Sequence, residues 1–514
     1  MKSITLFAAL FLLAGCRPAG PAPGAVFRAG GSVRDITPDL GERYTDLNGN
    51  NRWDADEPFD DANGNGVFEP LWLANDRRRP ALSIHDNLSV AVVVIDVGGV
   101  RIGMVGLDSF GHGRQELEAI RRDPGFRSTG IDLLIMGSSH THEGPDVVGM
   151  YGPSETESGV DTTYLARVRA QTIMALQESV ARLKPATMER ATMRTGLDTY
   201  QVDQRDPVII DDRLAALRFR ETGSGRVIAT LVNWASHPEQ VINGSSISAD
   251  YVGAWRRAQQ ERYPDAAPVF FQGALGGQIG SNRIAFSHEG VTYDACGECS
   301  YEKAGALGVI LSQLTENALS NATSETPDTI VWRSREVRLP VENAGFQYLF
   351  AAGVLDRTLE DAGGAPLDAY RPGEPAFVRT EMAYVRLGGV SLLTVPGELL
   401  PELAIGGYDG RFTPGGEAGL WSPDNEGIED LAGAPGPPYL RDLLDTPVTM
   451  IFGVTQDFLG YIIPPFNFQL HPTRPYLDSP DWDHHYEETN ALGPQTAGLI
   501  LQTAAELVGS PEAR

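Results

Sequence analysis

Cysteine is nearly missing: three occur in 514 residues, too few for a disulfide framework, so the fold has to rest on a buried apolar core. Cationic residues are also short, with 41 Lys and Arg against 68 Asp and Glu and a formal charge of -27. A surface of that sign repels phosphate backbones, and nucleic acid is not expected as a partner. No apolar run reaches the roughly 20 residues that a membrane span needs, and no internal repeat appears at a solenoid period. What remains is a globular chain, long enough for one large domain or two ordinary ones.

The two ends of the cysteine inventory carry information. Lys2 precedes an apolar stretch, Ile4 to Leu13, which runs into Leu13-Ala14-Gly15-Cys16. That is the order of a secretory signal, and a small-residue pair directly before cysteine is its lipoprotein form. The expectation is an exported chain, cleaved before Cys16, acylated on it and held to a membrane by that lipid alone. Residues 1–16 would be the signal and 17–25, rich in Pro, Gly and Ala, a flexible tether. Arg17 is not a retention-type acidic residue, which favours the outer membrane, on its periplasmic or cell-surface face. In an exported protein the Cys296-Gly297-Glu298-Cys299 pair is expected to close a local disulfide, with a redox or metal role as the alternative.

Apolar, β-branched runs predict strands at 88–95, 100–107, 131–136, 227–233, 268–271, 382–387, 390–395 and 448–452. Gly98-Gly99 and Gly388-Gly389 carry hairpin chemistry between two pairs of them. Helical periodicity predicts helices over 114–122, 250–262, 303–319 and 494–508. A further helix starts at the caps Asp161 and Thr162, with Leu165, Val168, Thr172, Leu176, Val180 and Leu183 on one face, and Pro185 ends it. Strands alternating with helices but interrupted by hairpins predict an α/β fold of mixed β-sheets with flanking helices, a single large catalytic domain over 26–514.

The polar segment 44–70 reads as an insertion. Asp46, Asn48, Asn50, Asp54 and Glu57 stand at relative positions one, three, five, nine and twelve, which matches a calcium loop because a hard cation needs many oxygens around a tight turn. Asp61, Asn63 and Asn65 repeat its first half, now with Gly66 at position six, where the first loop has Asn51. Bound Ca²⁺ in a structural role is expected here.

Chemistry-bearing residues stand just beyond the strand-like runs, on loops that a rigid scaffold would hold. His140 and His142 form an H-x-H pair that an extended segment projects to one side, a frequent arrangement for first-row metals. With His237 after another strand and a carboxylate after a fourth, they would build a zinc site with an open position for water.

Taken in order, His140-Thr141-His142-x-Gly144-Pro145, Ala235-Ser236-His237-Pro238, Val395-Pro396-Gly397-Glu398, Tyr461, Tyr486-Glu487 and Leu492-Gly493-Pro494-Gln495-Thr496 resemble the catalytic domain of the neutral (non-lysosomal) ceramidases. The opening Gly31-x-x-x-Asp35-Ile36-Thr37-Pro38 resembles its start. The resemblance implies zinc held by His140, His237, Glu398 and Tyr461, with His142 near the substrate carbonyl and Arg194 as the active-site arginine. It also implies an N-acyl lipid substrate cut at its amide by metal-activated water.

The chain departs from that pattern at three places. Ile279 stands where the family has its catalytic serine, and Ser281 is displaced from it by two residues. Glu143 replaces a serine after His142, adding a candidate base or ligand. The sequence stops soon after Gly493-Pro494, before the immunoglobulin-like domain of that family. Two rivals follow: a zinc hydrolase of another ester or phosphoester bond, and a non-catalytic, calcium-stabilised surface lipoprotein.

Overall fold

A nine-stranded sheet and a five-stranded sheet carry the molecule, in a computed structural model that describes residues 25–510 apart from 51, 76, 243, 280, 297–299, 426–429 and 481–483. The expectations for Cys16 and Cys299 lie outside the described residues, as does all of the tether but Ala25. Cys296 is disulfide-bonded.

In the larger sheet the spatial order is Ala267–Gln272, Val227–Trp234, Arg213–Glu221, Lys184–Arg194, Phe27–Asp35, Ser89–Val97, Val100–Leu107 and Leu133–Ser138, with Thr323–Glu325 added beside Lys184–Arg194. The outermost pair at each end is parallel, and the strands between are antiparallel. Gly98 and Gly99 both take positive φ, 62° and 92°, as a two-residue hairpin requires. The sheet curls until its two ends approach. A β-carbon at Gly106 would fall 2.7 Å from the Phe270 carbonyl oxygen, so only glycine permits this contact.

The smaller sheet runs Ile330–Pro340, Phe377–Leu387, Val390–Thr394 and Val448–Phe452, the last pair parallel, with Leu359–Glu360 on the side of Phe377–Leu387. Phe452 stacks on Phe271 of the larger sheet, ring centroids 4.1 Å apart and 2° from parallel, which joins the two apolar faces. Beyond Phe452 the chain laces onto the edge strand Leu133–Ser138. Ser138 N–H donates to the Val454 carbonyl at 3.1 Å and Gln456 N–H to the Met136 carbonyl at 2.8 Å. The Gln456 side chain then accepts from Met136 N–H at 3.0 Å and donates to the Leu134 carbonyl at 3.1 Å.

Helices Arg114–Arg122, Thr162–Ala181, Asp250–Arg262, Tyr301–Leu319 and Gln495–Gly509 flank the sheets. Asp161 caps the second of these through Thr163 N–H and Tyr164 N–H, satisfying donors that the helix start leaves open. Its buried side is made by Tyr164, Thr172, Ile173, Ala175, Leu176 and Ser179. The expected stripe through Leu165, Val168 and Val180 is only half buried, because the close partner is the glycine-bearing strand Phe27–Asp35, where Ser32 Oγ bonds the Ala175 carbonyl and Ser179 Oγ. Among the described residues no helix is long and apolar enough to cross a membrane.

Candidate metal centre

Three side chains reach the centre on loops that leave the C-terminal end of a strand in a parallel pair. His140 follows Leu133–Ser138, His237 follows Val227–Trp234, and Glu398 follows Val390–Thr394. This is where strand ends of α/β sheets present their loops. The fourth, Tyr461, is set beside Glu398 by direct pairing of the short parallel strands Glu398–Leu399 and Tyr461–Ile462.

His140 adopts a left-handed backbone, φ 69°, at a cost of about 1–3 kcal/mol that its surroundings must offset. Its N–H donates to the Ser109 carbonyl at 2.8 Å, its Nδ1 meets the Phe110 carbonyl at 2.7 Å, and its ring stacks on Phe110 with centroids 4.5 Å apart. His237 Nδ1 meets the Gln278 carbonyl at 3.2 Å. A carbonyl only accepts, so both rings carry a proton on Nδ1 and turn Nε2 inward. Both Nε2 atoms approach the same atom, Glu398 Oε2, at 3.4 and 3.0 Å. With the Nδ1 protons committed elsewhere, two such nitrogens share one carboxylate oxygen only through an added proton or a cation. The donor set therefore fits a divalent metal.

Tyr461 brings its phenol within electrostatic reach of the Glu398 carboxylate. His142 Nε2 lies 3.3 Å from Glu239 Oε1, and neither nitrogen of that buried ring has hydrogen-bond geometry. One ligand atom each from His140, His142 and His237 falls within 4.8 Å of the others. The structure thus brings together five of the eight residues that the sequence pointed to for the site: His140, His142, His237, Glu398 and Tyr461.

Burial opposes a charge on Glu398, but His140 and His237 outweigh it and hold the carboxyl below its ordinary range. Burial likewise opposes charge on His237, yet the Glu398 hydrogen bond and Glu239 raise its pKa overall. His142 has too little compensation, and burial drives it down to about 3, so its ring stays neutral. Burial, with Glu398 adding to it, pushes the Tyr461 phenol well up.

His140, His142, Glu398 and Tyr461 line a cavity of about 500 Å³, whose other walls include Phe110, Met150, Ile279, Phe346 and Phe458; His237 is fully buried and does not line it. Size and mixed lining suit a small-molecule site. Sequence reasoning missed Glu239, Arg77 and Arg283, which also line it. Glu239 was within reach, two residues past His237 on the same loop; the arginines carried no motif.

Three expected catalytic residues do not face this cavity. Arg194, at the end of its strand, is paired with buried Asp212 at 2.8 Å, sits over the Phe412 ring and lines a separate cavity. Ser281 is fully buried, accepting from the Gln240 amide at 3.0 Å and donating to the His237 carbonyl at 3.1 Å. It positions the His237 loop, while Ile279 faces the cavity. Glu143 accepts from Gly244 N–H at 2.8 Å and lies behind the site, where burial raises its pKa to about 8. A carboxyl raised in the fold favours the native state at acid pH and loses that advantage as pH climbs from its unfolded value toward the folded one. Glu143→Gln is therefore expected to leave turnover within about twofold and to raise Tm relative to the parent at about pH 8 more than at about pH 5. Equal Tm differences at both values, in a calorimetric pH series, would contradict this placement.

The insertion is internally duplicated. In the first loop Asp54 accepts from the Asn48 and Asn50 amides at 2.7 and 2.8 Å; in the second Glu69 accepts from Asn63 and Asn65 at 2.6 and 3.0 Å. Asp46 and Asp61 accept from Gly49 N–H and Gly64 N–H, both at 2.7 Å. Glu57 closes the first loop through Leu47 N–H and Asp54 N–H, at 2.8 and 3.0 Å. Glu42 does the same for the second, through Ala62 N–H and Glu69 N–H at 2.8 and 2.9 Å. Spacing could not reveal Glu42, since it precedes both loops.

No protein-family model and no curated protein matches the sequence. Solved structures do. The neutral ceramidase from Pseudomonas aeruginosa superposes with a TM-score of 0.62 at 14% identity, covering 94% of this chain and 74% of that one. A ceramidase complexed with C2 gives a TM-score of 0.62 at 14% identity, covering 94% and 75%. The chain has the fold of those enzymes.

Proposed function

We propose that this protein is a zinc-dependent hydrolase of N-acyl (amide) bonds, of the neutral ceramidase type, working at a membrane to which Cys16 anchors it. The observation that carries this reading is the convergence of His140, His237 and Tyr461 on Glu398, with His142 beside them, at the wall of a cavity that all of them but His237 line, in a ceramidase fold. Two imidazoles, a carboxylate and a phenol would hold Zn²⁺, which when bound supplies a Lewis acid and lowers the pKa of water to about 7.

The chain's own groups divide the remaining work. Glu239, on the cavity wall, takes the proton of the attacking water. His142, neutral because it is buried, keeps one N–H to donate to the acyl oxygen as charge develops there; one such donor is worth roughly 3–4 kcal/mol of barrier. Water oxygen joins the acyl carbon, the C–N bond breaks, and protons end on the departing amine. The 277–283 loop presents Ile279 rather than a hydroxyl, which favours direct attack by water over a covalent acyl intermediate.

Metal analysis and a panel of N-acyl lipids with matched ester and phosphoester analogues test the reading. About one zinc per chain and amide cleavage are expected, with the parent in the membrane fraction and Cys16→Ser released from it. Zinc without amide cleavage would point to another bond; a chain that retains no zinc and cuts nothing would be a binding protein.

For the insertion we propose two structural calcium ions. Asp46, Asn48, Asn50, Asp54 and Glu57 hold one, and Asp61, Asn63, Asn65, Glu69 and Glu42 hold the other, as the ligand spacing and the matched closure by two buried glutamates support. Calorimetric titration should give two ions for the parent and one each for Glu42→Gln and Glu57→Gln. A stoichiometry of one for the parent, unchanged by Glu42→Gln, would remove the second site.

A further inference from the structure

The cavity beside Arg194 runs against the composition of the chain. Its volume is about 460 Å³, within the range of small-molecule sites, and its described lining holds four arginines against three aspartates, whereas the sequence has 41 basic residues against 68 acidic ones. Three of the arginines have carboxylate partners. Arg194 pairs with Asp212 at 2.8 Å, Arg441 grips Asp211 through two bonds at 3.0 and 2.5 Å, and Arg411 pairs with Asp409 at 2.9 Å. The third aspartate of the lining, Asp442, accepts from Tyr439 N–H at 3.0 Å.

Arg213 is the surplus cation. Among the described residues no carboxylate pairs with it, and its side chain donates to the Thr449 hydroxyl at 3.2 Å. It stands directly opposite Arg194 in the antiparallel pairing of Lys184–Arg194 with Arg213–Glu221, a position where like charges repel. Burial, with Arg441 and Arg194 adding to it and Asp211 opposing, holds its pKa below the ordinary arginine range. A half-buried cation so placed is unfavourable until an anion meets it, and a guanidinium oriented by a hydroxyl keeps donors for a carboxylate or phosphate. Beside these charges the cavity has an apolar wall, made by Ile405 and by Phe412, whose ring lies 5.2 Å from the Arg194 guanidinium.

We propose that this cavity binds a small organic anion, its phosphate-type or carboxylate group held by Arg213 and its remainder resting on Phe412 and Ile405. The site shares no described lining residue with the cavity of the candidate metal centre, and it does not depend on the amide chemistry.

The test is calorimetric titration of zinc-loaded full-length protein with phenylphosphonate, benzoate and neutral benzyl alcohol. One anion per chain is expected, bound at least tenfold more tightly than the alcohol and more weakly as salt rises; the tighter anion identifies the group that is taken. Arg213→Gln should lose about tenfold or more of that affinity, while Glu398→Gln, altered at the candidate metal centre, and Arg386→Gln, a half-exposed arginine of the smaller sheet, bind the anion as the parent does. Thermal unfolding gives an independent readout. Without ligand Arg213→Gln should melt no lower than the parent, because the charge it removes has no carboxylate partner, and the anion should raise the Tm of the parent but not of the variant. Absence of anion binding, affinity within twofold of the parent in Arg213→Gln, or binding that vanishes in Glu398→Gln and so belongs to the metal would each overturn the proposal. A ligand-free Arg213→Gln that melts several degrees lower would overturn it too, since Arg213 would then be holding the fold.

Discussion

Glu398→Gln is expected to lower kcat/KM on an N-acyl substrate by about a thousandfold or more, the equivalent of several kcal/mol of lost electrostatic stabilisation, and to release the metal from purified protein. The carboxamide keeps the shape but not the charge that both inward-facing imidazoles share, at 3.0 and 3.4 Å. The same geometry gives metal binding a pH dependence. Because the pKa of His237 is raised overall, protons compete with the cation for its Nε2 at a higher pH than for an ordinary histidine. Apparent metal affinity should therefore fall as pH drops through that raised value, and this dependence should weaken in Glu398→Gln, whose His237 has lost the partner that favours its proton. Retained metal and near-parent rates in this variant would show that the cluster is not the reacting centre.

The largest stability loss is expected from Arg205→Leu, about 3–5 kcal/mol, read by denaturant unfolding. Arg205 is fully buried and bridges Glu402 and Glu487, both also fully buried. Removing the guanidinium strands two carboxylates in an apolar interior, and their desolvation cost then has no partner. A triple variant in which Arg205, Glu402 and Glu487 all become apolar should recover much of the loss, since a complete ion cluster is worth little more than well-packed hydrocarbon. If the triple variant is as unstable as the single one, the damage comes from packing and not from stranded charge. Gln204, next in the chain, donates its backbone N–H to the Gly277 carbonyl at 3.1 Å. The cluster thereby supports the loop that carries Ile279 and the carbonyl of Gln278 to which His237 is tied.

Much of this was legible in the sequence where one rule acted alone. Strands buried on both faces, such as Val100–Leu107 and Val448–Phe452, read as unbroken apolar runs and form where expected. Lys184–Arg194 and Ile330–Pro340 escaped notice because charged side chains alternate with the apolar ones on strands only half covered; Phe27–Asp35 was hidden by its glycines. The five residues of the candidate metal centre were legible as motifs at strand ends. Ser281, Glu143 and Arg194 were not decided by position, because each is claimed by a local polar partner, the His237 carbonyl, Gly244 N–H and Asp212 respectively. A spacing rule locates a side chain along the chain, but it does not reveal which backbone group will hold it.

The strand that leads to His140 is the last of its sheet, and an unpaired margin of that kind is a template on which a second molecule can add itself. Here the backbone and amide of Gln456 occupy the hydrogen-bonding positions of Met136 and Leu134, as a neighbouring strand would. One glutamine thus covers positions that another strand would otherwise pair with, and its place five residues before Tyr461 ties that cover to the same segment that completes the candidate metal centre.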